Sequence, residues 1–338
     1  MSNNVFGIDL GTCNLKVFCK ATGKIINEKN TIAIVNKNQM YAYGDEAYAM
    51  YEKAPEHIQV SFPVINGVIA DFNNVQTMIG QLLERAVKSK IKGAEFIVAV
   101  PTAITEVEKK AFFDLFYKSH FKPKSVLLCE KPIADAVGLG LDVTEPTGIM
   151  VVDIGADTTE ISVISLGGLV ISDLLHFGGN KIDESISNYI KRNFNLMIGQ
   201  KTSKQLKEEL ASALPGEENS SVIVGRDVVS GLPVEMEITS SIVYEAIKEN
   251  VNSICNSIKM ILEKTPPELA RDIIHTGIYL TGGSSKIHNF DTMFTDMTKI
   301  KVNTTESPEE CVVRGLNKIV SDDKYYKLAY SLKSRIYR

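Results

Sequence analysis

Apolar positions recur along this chain with two periods, and the switches between them outline its elements. Near the N-terminus the period is two: Val5, Ile8 and Leu10, then Leu15, Val17 and Cys19, then Ile25 and Ile26, and later Ile32 to Val35. That spacing predicts a meander of strands with turns at Gly11, Gly23 and Asn36–Asn38. A short helical pattern covers 45–56. An amphipathic helix is expected over 74–91, with Val75, Met78, Ile79, Leu82, Leu83 and Val87 on one face. Phe96 to Val100 reads as a buried strand ended by Pro101. Thr105 opens the next helix, with Glu108 three residues on as a capping box. Val126 to Leu128 is a further strand and Pro132 to Leu141 a helix of small residues. From Ile149 the opening pattern returns as strand, Asp-x-Gly turn, strand, Gly167-Gly168 turn and strand. A unit repeated about 145 residues later suggests two lobes of one design. Helices follow near 181–195, 202–212, 239–263 and 266–275, then a strand at 277–281. The last helices are expected near 308–320 and 322–335.

Three glycine-rich turns end apolar strands in this pattern. They are Gly7-Ile8-Asp9-Leu10-Gly11-Thr12, Asp153-Ile154-Gly155-Ala156-Asp157-Thr158-Thr159-Glu160 and Leu280-Thr281-Gly282-Gly283-Ser284-Ser285. Glycine lets successive backbone N–H groups point into one concavity, and such nests bind phosphate. Asp9 and Asp153 stand where the first two turns begin, suited to hold a hydrated Mg²⁺ between phosphates. One such turn alone would be a plain loop closure. Two acidic turns in matched strand contexts plus a distal Thr-Gly-Gly point to a bound nucleotide.

Composition narrows the class. The 338 residues are 44% hydrophobic and 23% charged, ordinary for a globular protein and enough for two lobes with real cores. A net charge of −4 argues against a nucleic-acid partner. No stretch approaches the roughly 18 apolar residues of a membrane-spanning helix, and the N-terminus lacks a signal-peptide pattern. The five cysteines form no Cys-x-x-Cys pair. They read as reduced thiols of a cytosolic protein.

Together these turns resemble the actin-like ATPase superfamily, and within it the bacterial actins of the MreB type. The match is carried by Gly67-Val68-Ile69-Ala70-Asp71-Phe72, Val98-Ala99-Val100-Pro101, Met150 to Ser165, Phe177-Gly178-Gly179-Asn180 and Lys264-Thr265-Pro266-Pro267-Glu268-Leu269. It extends over essentially the whole chain. The resemblance implies an α/β actin-like two-lobed fold, each lobe a mixed sheet with flanking helices and nucleotide in the interlobe cleft. Subdomain IA would comprise 1–32, 66–145 and 315–338, and IB 33–65. IIA would comprise 146–181 and 246–314, and IIB 182–245. ATP or ADP with Mg²⁺ is the implied cofactor. Thr12, Cys13 and Asn14 would form the first phosphate loop, and Gly155, Ala156, Asp157 and Thr158 the second, near Gly179. Gly282, Gly283 and Ser284 would border the adenine and α-phosphate. Lys204 and Lys207 match positions of ribose and adenine contacts, although the residues alone favour a solvated helix face for both.

Four departures from the family pattern bear on chemistry. The Glu that orients the attacking water in the family is Lys131 here, and lysine has three donors and no acceptor. Adjacent Glu130 should point to the opposite face and cannot replace it. Ala156 and Asp157 interrupt the glycine run of the second loop, and an Asp beside γ-phosphate repels it unless Mg²⁺ or Lys131 neutralises it. Lys16 stands where this family usually has an apolar residue and eukaryotic actin a phosphate-bridging lysine; an outward strand residue is the other reading. The net expectation is a site fit to bind nucleotide and poorly fit to hydrolyse it, a weak ATPase at most.

The resemblance further implies head-to-tail filaments, a heterologous contact that does not close, with paralogues as further partners. Paired filaments would use the helix after Pro101, whose Phe112, Phe113, Phe116 and Tyr117 span more than one face. Lys88-Ser89-Lys90-Ile91-Lys92-Gly93 offers one apolar residue amid lysines as a membrane touch. Residues 324–338, basic and apolar with no acid, fit an interfacial helix on an anionic inner membrane face, or a helix docked on IA. A small-molecule kinase or a chaperone-type ATPase is the rival reading. A kinase would need a catalytic Asp between the lobes, and a chaperone a substrate domain after them.

Overall fold

The computed structural model describes residues 4–36, 39–86, 91–216 and 218–332. By its contacts the chain divides into two units, 1–147 with 164–174 and 309–338, and 148–163 with 175–308. The first unit is built on a five-stranded sheet in the order Ser125–Glu130, Glu95–Val100, Val5–Leu10, Asn14–Cys19, Lys24–Lys29. Val5–Leu10 runs parallel to Glu95–Val100 and antiparallel to Asn14–Cys19, in a register that sets Asp9 opposite Lys16. All six residues of Val5–Leu10 are buried, as expected for a central strand covered on both faces. Phe6 stacks on Phe96 at 5.5 Å between centroids, and Phe96 meets Phe116 in a tilted pair at 5.0 Å, at the heart of this core. A smaller sheet (Ile32–Val35 between Gln39–Tyr43 and Ile58–Ser61) closes over its own core of Ala33, Ala42 and Ala47.

Most helices follow the sequence pattern, though the one expected over 45–56 ends at Met50. Phe72–Ala86 buries Val75, Met78, Ile79, Leu82 and Leu83, and Val87 lies outside the described residues. Glu106–Tyr117 carries the expected capping box, with Thr105 Oγ1 accepting from Glu108 N and the Glu108 carboxylate accepting from Thr105 N. Phe112, Phe113 and Phe116 are core, and Tyr117 is 42% exposed while stacked on Phe113. Lys131–Gly138 packs on Cys311–Ser321 at very short range. A Cβ on Gly138 would overlap the Cys311 carbonyl, and one on Gly315 would overlap the Ala134 carbonyl.

Two expectations need correction. The helix over 322–335 is confined to Asp323–Tyr326. Beyond it Tyr330 exchanges both backbone hydrogen bonds with Leu128, and Leu328 and Leu332 are buried. The free edge of Ser125–Glu130 offers unpaired N–H and C=O groups, which satisfy the chain better than a further exposed turn of helix would. The tail is docked as far as 332, with Lys324 paired to Asp142 and Tyr330 Oη donating to Glu130 Oε1 at 2.9 Å; residues 333–338 lie outside the described residues. Ile91 is likewise buried in the first unit's core and is no membrane anchor, while Lys88, Ser89 and Lys90 lie outside the described residues.

In the second unit Ile149–Ile154 lies between Thr159–Ser165 and Ile278–Thr281, with Val302–Asn303 beyond. Ile149–Ile154 and Ile278–Thr281 are parallel, and the register sets Asp153 beside Thr281. Helices Gly179–Phe194, Gln200–Leu210, Ser240–Lys264, Pro267–Thr276 and Phe290–Thr298 accompany a small sheet of Leu196–Met197, Ser220–Asp227 and Pro233–Thr239.

Gly315→Ala should force the two close helices of the first unit apart and cost about 2 kcal/mol or more, as overpacked cores do. A urea midpoint equal to the parent's would contradict that reading of the contact.

Candidate functional site

In the first unit the loop after Val5–Leu10 is closed by Gly11 N donating to Asn14 O at 3.1 Å. Asn30, fully buried, clasps it twice: its Nδ2 donates to Gly11 O at 2.8 Å and its N to Cys13 O at 2.9 Å. Lys29 Nζ donates to Asn14 Oδ1 at 3.2 Å and lies 3.8 Å from Cys13 Sγ, and Asn14 Nδ2 donates to Asn27 Oδ1 at 2.6 Å. Sequence reasoning singled out Thr12, Cys13 and Asn14 and missed Lys29 and Asn30. The only signal for them was a polar Asn-Glu-Lys-Asn run closing an apolar strand.

Lys16 is buried and does not face outward. Its Nζ lies 3.0 Å from Asp9 Oδ2, with the two side chains 11% and 6% exposed. The antiparallel register dictates this, because directly opposed residues share a face. Lys131 is the first residue of its helix, half-buried, with Glu130 at the N-cap and Pro132 following. Glu130 Oε1 accepts from the Tyr330 hydroxyl at 2.9 Å, which holds this carboxylate against the docked tail.

The second unit gathers more of the expected residues. Gly155 N donates to Thr158 O at 2.8 Å, closing the second loop. Gly155 O then accepts from Gly179 N at 3.0 Å and from Ser284 Oγ at 2.8 Å, tying three distant segments to one carbonyl. Asn180 N donates to Ala156 O at 2.7 Å, and Asn180 Nδ2 to Asp157 Oδ1 at 2.7 Å. Asp157 is thus held beside the N-terminus of Gly179–Phe194, where the helix dipole favours an anion. Neither Ala156 nor Asp157 adopts a positive φ, so the interrupted glycine run carries no backbone strain. Gly282 does need glycine: its φ is +84° and a Cβ would overlap Asp153 Oδ1. Gly283 and Ser284 open the short 3₁₀ turn that follows.

Lys207 overturns the solvated-face reading. It is 8% exposed, its Nζ lies 2.8 Å from Asp183 Oδ1, and it donates to Gly179 O at 3.0 Å. The turn of Gln200–Leu210 aims residue 207 inward with Ser203 and Leu206. Burial raises the Asp183 carboxyl above the ordinary carboxylate range, and Lys207 offsets this only in part. Lys204 stays nearer the surface, 3.9 Å from Glu208. Among the described residues no group of three or more His, Cys, Asp or Glu could hold a metal ion, and no helix is long and apolar enough to cross a membrane.

The fold has solved relatives. The structure of MreB5 of Spiroplasma citri bound to AMPPNP superposes with a TM-score of 0.90 at 32% identity, covering 96% of each chain. The ADP-bound form gives the same score over 96% of this chain and 98% of that one. The MamK double helical filament, 21% identical and covering 94% and 98% of the two chains, shares the fold at a TM-score of 0.80. The fold is the actin-like one. The MreB/Mbl protein family model matches residues 3–327. Mbl, the cell shape-determining protein of Bacillus cereus, is 39% identical over 312 residues, covering 91% of this chain and 93% of its own. MreB of Escherichia coli is 36% identical over 323 residues, covering 93% and 92%. The chain belongs to the MreB/Mbl family of actin-like proteins, and the kinase and chaperone readings are not favoured.

Lys207→Met should leave Asp183 buried and unpaired, at a cost of about 3 kcal/mol in urea unfolding, and adding Asp183→Asn should recover most of it. Because the folded-state carboxyl of Asp183 titrates above its unfolded value, its contribution to stability is fully present below the unfolded value and is lost as pH rises through the folded one. The parent should therefore lose more stability than Asp183→Asn as pH climbs from 4 to 7; parallel profiles would contradict it.

Proposed function

We propose that this chain is an ATP-binding cytoskeletal protein that assembles head to tail into filaments and serves cell shape or an internal scaffold in the cytoplasm. The carrying observation is the second loop, whose Gly155 carbonyl is fixed by Gly179 and Ser284 so that the loop is preformed. Support comes from family membership and from a 32% identical relative solved with AMPPNP and with ADP. Thr12, Cys13, Asn14 and Lys16 are the proposed phosphate contacts of the first unit. Gly155, Ala156, Asp157, Thr158, Gly179 and Lys207 are those of the second, with Gly282, Gly283, Ser284 and Lys204 toward the base and sugar. The proposed subdomains are IA (1–32, 66–145, 315–338), IB (33–65), IIA (146–181, 246–314) and IIB (182–245). Paralogues and an anionic membrane face are proposed as further partners.

Asp9 and Asp153 are the carboxylates a hydrated Mg²⁺ would face through its water shell. Asp9 is also ion-paired with Lys16, and no step runs through a metal. Hydrolysis is the weaker half of the activity. A water-positioning group must accept a hydrogen bond, Lys131 only donates, and Glu130 is engaged by Tyr330. Losing such an acceptor costs about 10²-fold or more in rate.

The chain should bind ATP and pellet as filaments on sedimentation, while phosphate release stays slow. Lys131→Glu with Asp157→Gly should raise release about 10²-fold in polymerised protein. Parent turnover equal to that of a relative with the Glu in place, or no gain in the double variant, would sink the hydrolysis claim. Failure to bind ATP would sink the whole reading.

A further inference from the structure

The edge strand Ser125–Glu130 of the first unit's sheet runs directly into helix Lys131–Gly138, and Glu130 is the N-cap residue of that helix. Its backbone, at φ −60° and ψ 131°, has the extended conformation in which an N-cap side chain usually accepts from the first turn. The Glu130 carboxylate makes no such cap. It is turned instead to the C-terminal strap, where Tyr330 Oη donates to Glu130 Oε1 at 2.9 Å. The rest of the strap holds that hydroxyl in place. Tyr330 exchanges backbone hydrogen bonds with Leu128 at 2.8 and 2.9 Å, Leu328 and Leu332 are buried on either side of it, and Lys109 Nζ lies 5.9 Å from the Tyr330 ring centroid. One carboxylate thus has two positions open to it: the tyrosine of the strap, or the positive end of the helix, whose first N–H groups and dipole favour an anion.

Resting on the nucleotide-binding reading, we propose that the C-terminal strap is a regulatory clasp and that Glu130 is the residue it switches. With the strap docked, Tyr330 keeps the carboxylate at the sheet edge and off the helix end that begins at Lys131. With the clasp released, the carboxylate caps that helix, next to Lys131 and against a polyphosphate of like charge. The docked strap therefore favours nucleotide. By linkage, bound nucleotide must favour the docked strap by the same factor. Tyr330 is a positioning residue in this scheme and acts on phosphate only through Glu130. A partner that drew the tail away would loosen the nucleotide, and loss of nucleotide would loosen the tail.

Two measurements on the full chain test the clasp: the Kd for ATP, and the hydrogen-exchange rate of the Tyr330 amide, which donates to Leu128 O, with and without saturating ATP. Tyr330→Phe keeps the ring and the strand pairing and removes only the hydroxyl. It should raise Kd about fivefold, the low end of the range for coupling between sites. Adding Glu130→Gln should return Kd to the parent value, because no carboxylate remains to move, and Glu130→Gln alone should not weaken binding. In the parent, ATP should slow Tyr330 amide exchange about fivefold, and in Tyr330→Phe it should leave the rate of residue 330 unchanged. A tyrosine that merely anchored the tail would change protection in the variant without moving Kd. An unchanged Kd in Tyr330→Phe, a double variant as weak as the single one, weaker binding by Glu130→Gln alone, or parent exchange indifferent to ATP overturns this proposal and leaves ATP binding standing. No ATP binding by the parent defeats the nucleotide reading with it.

Discussion

The first unit depends on the close approach of two helices, Lys131–Gly138 and Cys311–Ser321, with no side chain between them at Gly138 and Gly315. Ordinary helix pairs keep 8–10 Å between axes because side chains intervene. Here backbone meets backbone, and the second helix also packs on the strands Val5–Leu10, Asn14–Cys19 and Glu95–Val100. Two chemically important residues are set by that stack: Lys131 at the start of one helix, and Asp9 near the end of the strand beneath the other. Their positions are inherited from core packing, and loops adjust around them.

Charge is managed in the two units by the same device. A lysine is drawn into the interior beside a phosphate-type loop and paired with one aspartate, Lys16 with Asp9 and Lys207 with Asp183. Buried pairs of this kind add little net stability, because desolvation consumes most of the attraction. They do fix orientation, and Lys207 also reaches the Gly179 carbonyl that ends the Phe177-Gly178 turn. The ammonium groups are thus held in place and not free to wander.

The glycine turns were legible in the sequence because their signal is local: Gly11, Gly155 and Gly282 each end an apolar strand. The capping box at Thr105 was legible for the same reason. The inward aim of Lys207 was not, because it depends on an aspartate 24 residues away on another helix. Lys29 and Asn30 were missed likewise, since their work is to close a loop more than ten residues upstream. The C-terminal segment misled because Leu328 and Leu332 fit a helical spacing of four as well as a strand spacing of two. The free edge of Ser125–Glu130 decided between them, and an unpaired edge is invisible to periodicity.

In the proposed reading, donors such as Lys16 and Lys131 would strengthen contacts to phosphate oxygens in the ground state, and interactions equal in ground and transition state lower the concentration needed without speeding chemistry. Acceleration would require an acceptor aimed at water, and the nearest carboxylate in sequence, Glu130, is held by the docked tail through Tyr330. In the proposed reading ATP therefore acts on this protein chiefly as a ligand. The assembly response is then bounded by how differently ATP and ADP bind its conformations, and the γ-phosphate is the whole of that difference. A filament built this way keeps its nucleotide, and turnover has to come from exchange or from partners that hydrolyse.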